Sequence, residues 1–188
     1  MNFKTLNVRG GLRDNIVKRE SILSENKHVT LLLQEVHLVA TDLDDFKQTV
    51  NKIWGEGNFE IYLSPHTNKS AGVLTLLPIN DQVKFIETKE LLPGRILNVI
   101  VEMNGETVNI INAYNYTTDH YKDQVTFFNI LKQLDHTENY IIGGDINALM
   151  CIEKDRRSAN KISYYGVKAS SDFVNTCDQF LLLMFTVF

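Results

Sequence analysis

Apolar and polar residues follow two rhythms along this chain, and the rhythms predict most of its elements. Residues 3–8 form a short strand-like run closed by the Gly10-Gly11 turn. Leu12, Ile16 and Leu23 then mark one face of a helix, with Arg13, Lys18, Arg19 and Glu20 mostly outside. Residues 29–33 are a β-rich apolar run of the kind found in a strand covered on both faces. Leu43, Phe46, Val50 and Ile53 recur at helical spacing behind Thr41 or Asp42, either of which can serve as N-cap. The middle changes character: residues 59–63, 72–77, 83–87, 96–103 and 107–113 all read as strands with no helix between them. Asn104-Gly105 separates two of these runs as a type I′ hairpin signal, because both central residues need positive φ. A third helix over about 119–134 turns Val125, Phe128 and Leu131 inward, and Tyr140-Ile141-Ile142 runs into Gly143-Gly144. A last helix is predicted over about 170–182, with Phe173, Cys177 and Leu181 on one face. No internal repeat or linker interrupts the pattern. The expected architecture is an α/β (α+β) sandwich: two packed, mainly antiparallel sheets with helices outside, one domain over residues 1–188.

Composition narrows the class. The 188 residues are 44% hydrophobic and 22% charged, which excludes disorder and low-complexity structure. No apolar run approaches the roughly 20 residues needed to span a bilayer, so no membrane partner is expected. The first residues lack a signal-peptide layout, so an intracellular protein is expected, nuclear if its substrate is there. Cys151 and Cys177 are too few for a disulfide framework or a four-thiolate zinc site, and no disulfide-linked partner is expected. A net charge of −4 argues against holding nucleic acid by bulk charge. Any such substrate needs a local site. The oligomeric state is left open.

Candidate chemistry sits where apolar strands end. Asn7 closes the first run, Gln34-Glu35 follows Leu31-Leu32-Leu33, and Asp145 with Asn147 follows Tyr140-Ile141-Ile142-Gly143-Gly144. Carboxylates at the exits of core strands are desolvated, which is costly unless a cation or hydrogen bonds compensate. Carboxylates and amide oxygens on separate strands form an all-oxygen set suited to Mg²⁺ or Mn²⁺. Residues two apart in extended backbone point the same way, so Asp145 and Asn147 can address one phosphate or water.

Four motifs carry a resemblance over essentially the whole chain. Leu6-Asn7-Val8-Arg9-Gly10, Leu33-Gln34-Glu35-Val36-His37, Ile111-Asn112-Ala113-Tyr114 and Gly143-Gly144-Asp145-Ile146-Asn147 resemble, in order and spacing, the successive motifs of the endonuclease/exonuclease/phosphatase superfamily. Ser70-Ala71-Gly72-Val73 and Gly94-Arg95 are similar to the apurinic-endonuclease-like domains of LINE-type retrotransposons. The resemblance implies that Glu35 binds the divalent metal, with Asn7 lining the same pocket. It implies that Asp145 orients or deprotonates the attacking water, that Asn147 holds Asp145 and the phosphate, and that Tyr114 donates its hydroxyl near the scissile phosphate. Arg9 and Arg156 are the candidate substrate contacts, although Arg156-Arg157 reads most simply as a solvated charged loop. His37 is expected to be a hydrogen-bonded structural residue rather than a ligand. The implied activity is metal-dependent nicking of DNA to a 3′-hydroxyl.

The match has limits. The superfamily closes with a supporting Asp and a Ser-Asp-His, whereas Ser171-Asp172 is followed here by Phe173 and no histidine follows Asp145. Asn115-Tyr116-Thr117 stands where the retrotransposon branch usually has Ala-Pro-Asn. Residues 180–188 hold one polar side chain, too apolar for a free tail, and read as core whose covering strands are missing. The expectation is therefore a domain incomplete at its C-terminus and impaired in hydrolysis. Two alternatives stand beside it: a catalytically dead remnant that keeps cation or weak nucleic-acid binding, and a phosphatase-type member of the same superfamily.

Overall fold

A computed structural model describes residues 1–65, 71–80, 82–117, 120–135 and 137–147, with the backbone of 184–186. Two sheets stack face to face. The first holds β1 (Phe3–Asn7), β2 (Thr30–Gln34), β4 (Val73–Pro78) and β3 (Phe59–Ser64) in that spatial order. The second runs β5 (Val83–Leu92), β6 (Ile96–Met103), β7 (Glu106–Tyr114), β8 (Asn139–Asp145) and β9 (Met184–Thr186). Antiparallel pairing joins β2–β4, β3–β4, β5–β6 and β6–β7, while β1–β2, β7–β8 and β8–β9 run parallel. The sandwich is thus mixed, and its parallel pairs lie where the candidate residues are.

Strand alternation distributes the core over three layers. Leu32, Val73, Leu77, Leu97, Val99, Val101 and Ile110 fill the space between the sheets. Leu31, Leu33, Leu74 and Leu76 point the other way, against Phe46, Val50 and Trp54 of the helix α2 (Leu43–Trp54) and Leu23 of α1 (Ile16–Glu25). On the far side, Ile96, Ile111, Ala113 and Ile142 pack on Phe127, Phe128 and Leu131 of α3 (Tyr121–Lys132). Every residue of β2 is buried, as a strand covered on both faces requires. Asn104 and Gly105 adopt φ 53° and 84°, the left-handed pair that a type I′ turn needs.

The first helix departs from its expected face. Asn15 caps it by accepting from the Lys18 N–H, so the helix starts at Ile16 and Leu12 lies in the loop before it. Leu12 is buried there, while Ile16 is 54% exposed. Arg19, expected outside, is 3% exposed, and its Nη1 lies 2.7 Å from Asp45 Oδ2. In α3 the inward set includes Phe127 as well as Phe128 and Leu131, and Val125 is only half-buried. The predicted helix over 170–182 lies outside the described residues, as do Cys151, Cys177, Arg156 and His66. Among the described residues no helix is long and apolar enough to cross a membrane.

Candidate functional site

Two parallel pairings bring four strand ends together. Asn7 pairs with Gln34 at the end of β1–β2, and Tyr114 pairs with Asp145 at the end of β7–β8. The strands β1 and β8 also face one another across the sandwich, so residues from separate sheets share one place. There Asn7 Nδ2 donates to Glu35 Oε1 at 3.0 Å and to Asp145 Oδ2 at 2.7 Å. Its Oδ1 accepts the Arg9 N–H at 2.9 Å, which fixes the amide with its nitrogen toward the carboxylates. The Tyr114 hydroxyl donates to the same Glu35 Oε1. Burial, reinforced by the bond to the Glu35 carboxylate, pushes the Tyr114 phenol well above its ordinary value, against the opposing charge of Arg95. The phenol is therefore a proton donor throughout the neutral range.

The backbone bends sharply just after the strands. Arg9, Glu35 and Asn147 adopt φ values of 48°, 52° and 49° without being glycine. Each left-handed residue costs about 1 kcal/mol, and such outliers concentrate where a side chain must be aimed. The Asn147 N–H donates to Asp145 Oδ1 at 3.1 Å, so the backbone of Asn147, rather than its side chain, holds the carboxylate. The Asn147 side chain donates instead to the Asn115 carbonyl at 2.8 Å. Arg9 is exposed and reaches the cluster through its main chain. His37 packs on Gly10, where a Cβ would strike the imidazole, and the His37 backbone N–H donates to the Ala71 carbonyl.

Two participants were not singled out from the sequence. Asn115, fully buried, donates from Nδ2 to the Ile146 carbonyl at 2.9 Å and ties the end of β7 to the loop after Asp145. The Arg95 guanidinium lies 4.5 Å from the Tyr114 ring centre and 4.2 Å from that of Tyr116. Its stacking on Tyr116 occurs at the position where the chain departs from the retrotransposon wording. The sequence marks Arg95 only through Gly94-Arg95 and Asn115 only through the departure at Asn115-Tyr116-Thr117, and gives neither a role in the site.

The donor set fits a hard divalent cation. Glu35 and Asp145 are half-buried, and among the described residues neither has a Lys or Arg ion-pair partner. Two adjacent carboxylates without a cation are electrostatically incomplete, and their oxygens suit Mg²⁺ or Mn²⁺. Among the described residues no group of three or more His, Cys, Asp or Glu side chains is gathered as a metal cage. Mg²⁺ does not require one, since it is commonly held by one or two carboxylates with water and phosphate completing its shell.

No family model matches the chain. It is 28% identical over 152 residues to the transposon TX1 uncharacterized 149 kDa protein of Xenopus laevis, covering 78% of this chain and 11% of that one. In structure it resembles the APE2 catalytic domain of Xenopus laevis with a TM-score of 0.67 and 15% identity, over 94% of this chain and 67% of that domain. It also resembles the endonuclease domain of TRAS1, a telomere-specific non-LTR retrotransposon, with a TM-score of 0.56 and 13% identity, over 93% and 71% of the two chains. The chain thus spans about a tenth of the transposon protein it matches and about two thirds of these domains. In its two stacked sheets and outer helices the chain carries the endonuclease/exonuclease/phosphatase fold.

Proposed function

We propose that the chain is a metal-dependent phosphodiester hydrolase of the DNA-endonuclease type, nicking to leave a 3′-hydroxyl, and that hydrolysis by these 188 residues is slow. The observation that carries this reading is the Glu35–Asn7–Asp145 bridge: two carboxylates from separate sheets share one amide and have no cationic partner among the described residues. Similarity to a transposon-encoded protein and to a retrotransposon endonuclease domain supports DNA as the partner.

On this reading Glu35 holds Mg²⁺ or Mn²⁺ in the pocket that Asn7 lines, and the Asn7 amide draws the Glu35 and Asp145 carboxylates together and aims them. The cation, when bound, acts as a Lewis acid on the phosphoryl oxygens. Asp145, fixed by the Asn147 N–H and the Asn7 amide, orients the attacking water and accepts its proton. Tyr114, protonated at neutral pH, offers an O–H to the phosphate in place of its bond to Glu35. Asn147 and Arg9 lie at the rim, where the phosphate backbone would run; Arg156 is the further contact proposed. No histidine follows Asp145 in these 188 residues, so they do not supply an imidazolium for the phosphate or leaving group from that side. That observation favours the second reading, a domain that binds cation and nucleic acid without turnover.

A supercoiled-plasmid nicking assay with Mg²⁺ decides between them. Slow nicking is expected, lowered about a hundredfold or more by Asp145→Ala and abolished by Glu35→Ala. Absence of nicking together with a Mg²⁺-dependent rise in melting temperature leaves the second reading. Nicking unaffected by either substitution refutes the site.

A further inference from the structure

Directly beneath the strand-end cluster the two sheets meet in a second polar layer, and we propose that its amide pair, Gln34 and Asn112, positions the site above it. The inference deepens the metal-dependent reading and rests on it. Gln34 and Asn112 are 1% and 0% exposed, on opposite sheets. Gln34 Nε2 donates to Asn112 Oδ1 at 2.7 Å and lies 3.0 Å from Thr5 Oγ1. Asn112 Nδ2 donates to the Leu33 carbonyl at 3.2 Å and the Leu74 carbonyl at 2.9 Å. One side chain standing on the second sheet thereby makes three hydrogen bonds to the first. Gly143, the register partner of Asn112, completes the layer: a Cβ there would lie 2.6 Å from Leu32 Cδ1, so the missing side chain lets the sheets approach.

The next crossing above this one is the site. Glu35 follows Gln34 directly, and Tyr114 lies two residues beyond Asn112 on the same face of β7, where its hydroxyl donates to Glu35. Apolar residues in the Gln34 and Asn112 positions would also hold the sheets together, at no desolvation cost. Their attraction is non-directional, however, and leaves the spacing of the sheets loosely defined. Hydrogen bonds of fixed length and angle define it. Gln34 and Asn112 touch no reacting group; they act through Glu35 and Tyr114 by setting the distance between them.

The test separates packing from positioning, using the full chain and Mn²⁺ as the probe. Asn112→Leu takes one acceptor from Gln34, which keeps the Leu32 carbonyl and Thr5, and withdraws the amide from the Leu33 and Leu74 carbonyls, so it should lower the melting temperature. Gln34→Met with Asn112→Leu removes both amides and refills their volume, and part of that loss should return, because the Gln34–Asn112 bond then has both its partners replaced by apolar groups rather than one. Positioning predicts that the Mn²⁺ Kd, read from the electron paramagnetic resonance of free Mn²⁺, stays about tenfold weaker in this double variant. An affinity that recovers together with the melting temperature overturns the proposal. Should the double variant not fold, Thr5→Val supplies the test: it loosens Gln34 without removing either amide, so Mn²⁺ binding should weaken, and an unchanged Kd refutes positioning. If the wild-type chain binds no Mn²⁺, the metal reading fails and the positioning claim is read from stability instead. The unfolding cost of Tyr114→Phe should then shrink in the Thr5→Val background, and equal costs in both backgrounds overturn the claim.

Discussion

Asn7 has no freedom to turn its amide over. The Arg9 N–H holds its oxygen, and its two amide protons are divided between Glu35 and Asp145. Asn7→Asp is nearly isosteric but replaces the shared donor with a third negative charge. Two charge-assisted bonds are lost and repulsion is added, so the variant should unfold with about 2 kcal/mol less stability. On the proposed reading it should also show a larger Mn²⁺-induced rise in melting temperature than wild type, since a cation relieves three charges rather than two. Thermal melts with and without Mn²⁺ check both; a smaller Mn²⁺ shift than wild type refutes the cation site. The residues of this cluster were legible because each polar group interrupts or follows an apolar strand. Arg19 was not legible, because a charged residue in a helical pattern reads as solvent-facing. Its burial depends on Asp45, on a different helix. Arg95 was marked only as part of Gly94-Arg95, and its charge acquires a role only beside Tyr114 and Tyr116.

Strands and their turns were more legible than helix faces. The Asn104-Gly105 hairpin and the fully buried β2 follow from local chemistry, the first from positive φ and the second from an unbroken apolar run. The strand β5 continues to Leu92, past the expected end at residue 87, through a polar stretch whose only guide is pairing with β6 at the sheet edge. Its exposed Lys84, Glu87, Lys89 and Glu90 suit an edge strand that must not pair with another chain. Two glycines show how differently the same residue type acts in these elements. Gly105 has φ 84° and open space around it, so Gly105→Ala should cost about 1 kcal/mol from backbone strain alone. At Gly144 a Cβ would fall on the Ala113 carbonyl oxygen, within the β7–β8 pairing that carries Tyr114 and Asp145. Gly144→Ala should therefore cost about 3 kcal/mol or more and loosen the site with the strand pair. Urea unfolding of the two variants side by side reads the difference, and similar midpoints would mean that β8 shifts freely away from β7.

At the scale of the molecule, the site without a cation and the net charge of −4 both repel a polyanion. Two half-buried carboxylates lie where the proposed reading puts a phosphate, and without a cation they repel it. Each is worth about 1 kcal/mol at close range in a water-like dielectric. Asp145→Asn removes one charge and keeps an oxygen to accept from the Asn147 N–H, at the loss of the bond from the Asn7 amide. In a chelating buffer it should bind a short fluorescent DNA duplex about fivefold more tightly than wild type, as measured by anisotropy. Raising the salt concentration should shrink the gap, because added ions screen the repulsion. Mg²⁺ should shrink it further by neutralising the wild-type pair, an effect that salt alone at equal ionic strength does not reproduce. Equal affinities of the two proteins in chelator would place the DNA away from these carboxylates. The acidity that speaks against binding by bulk charge would then have no local remedy at this site.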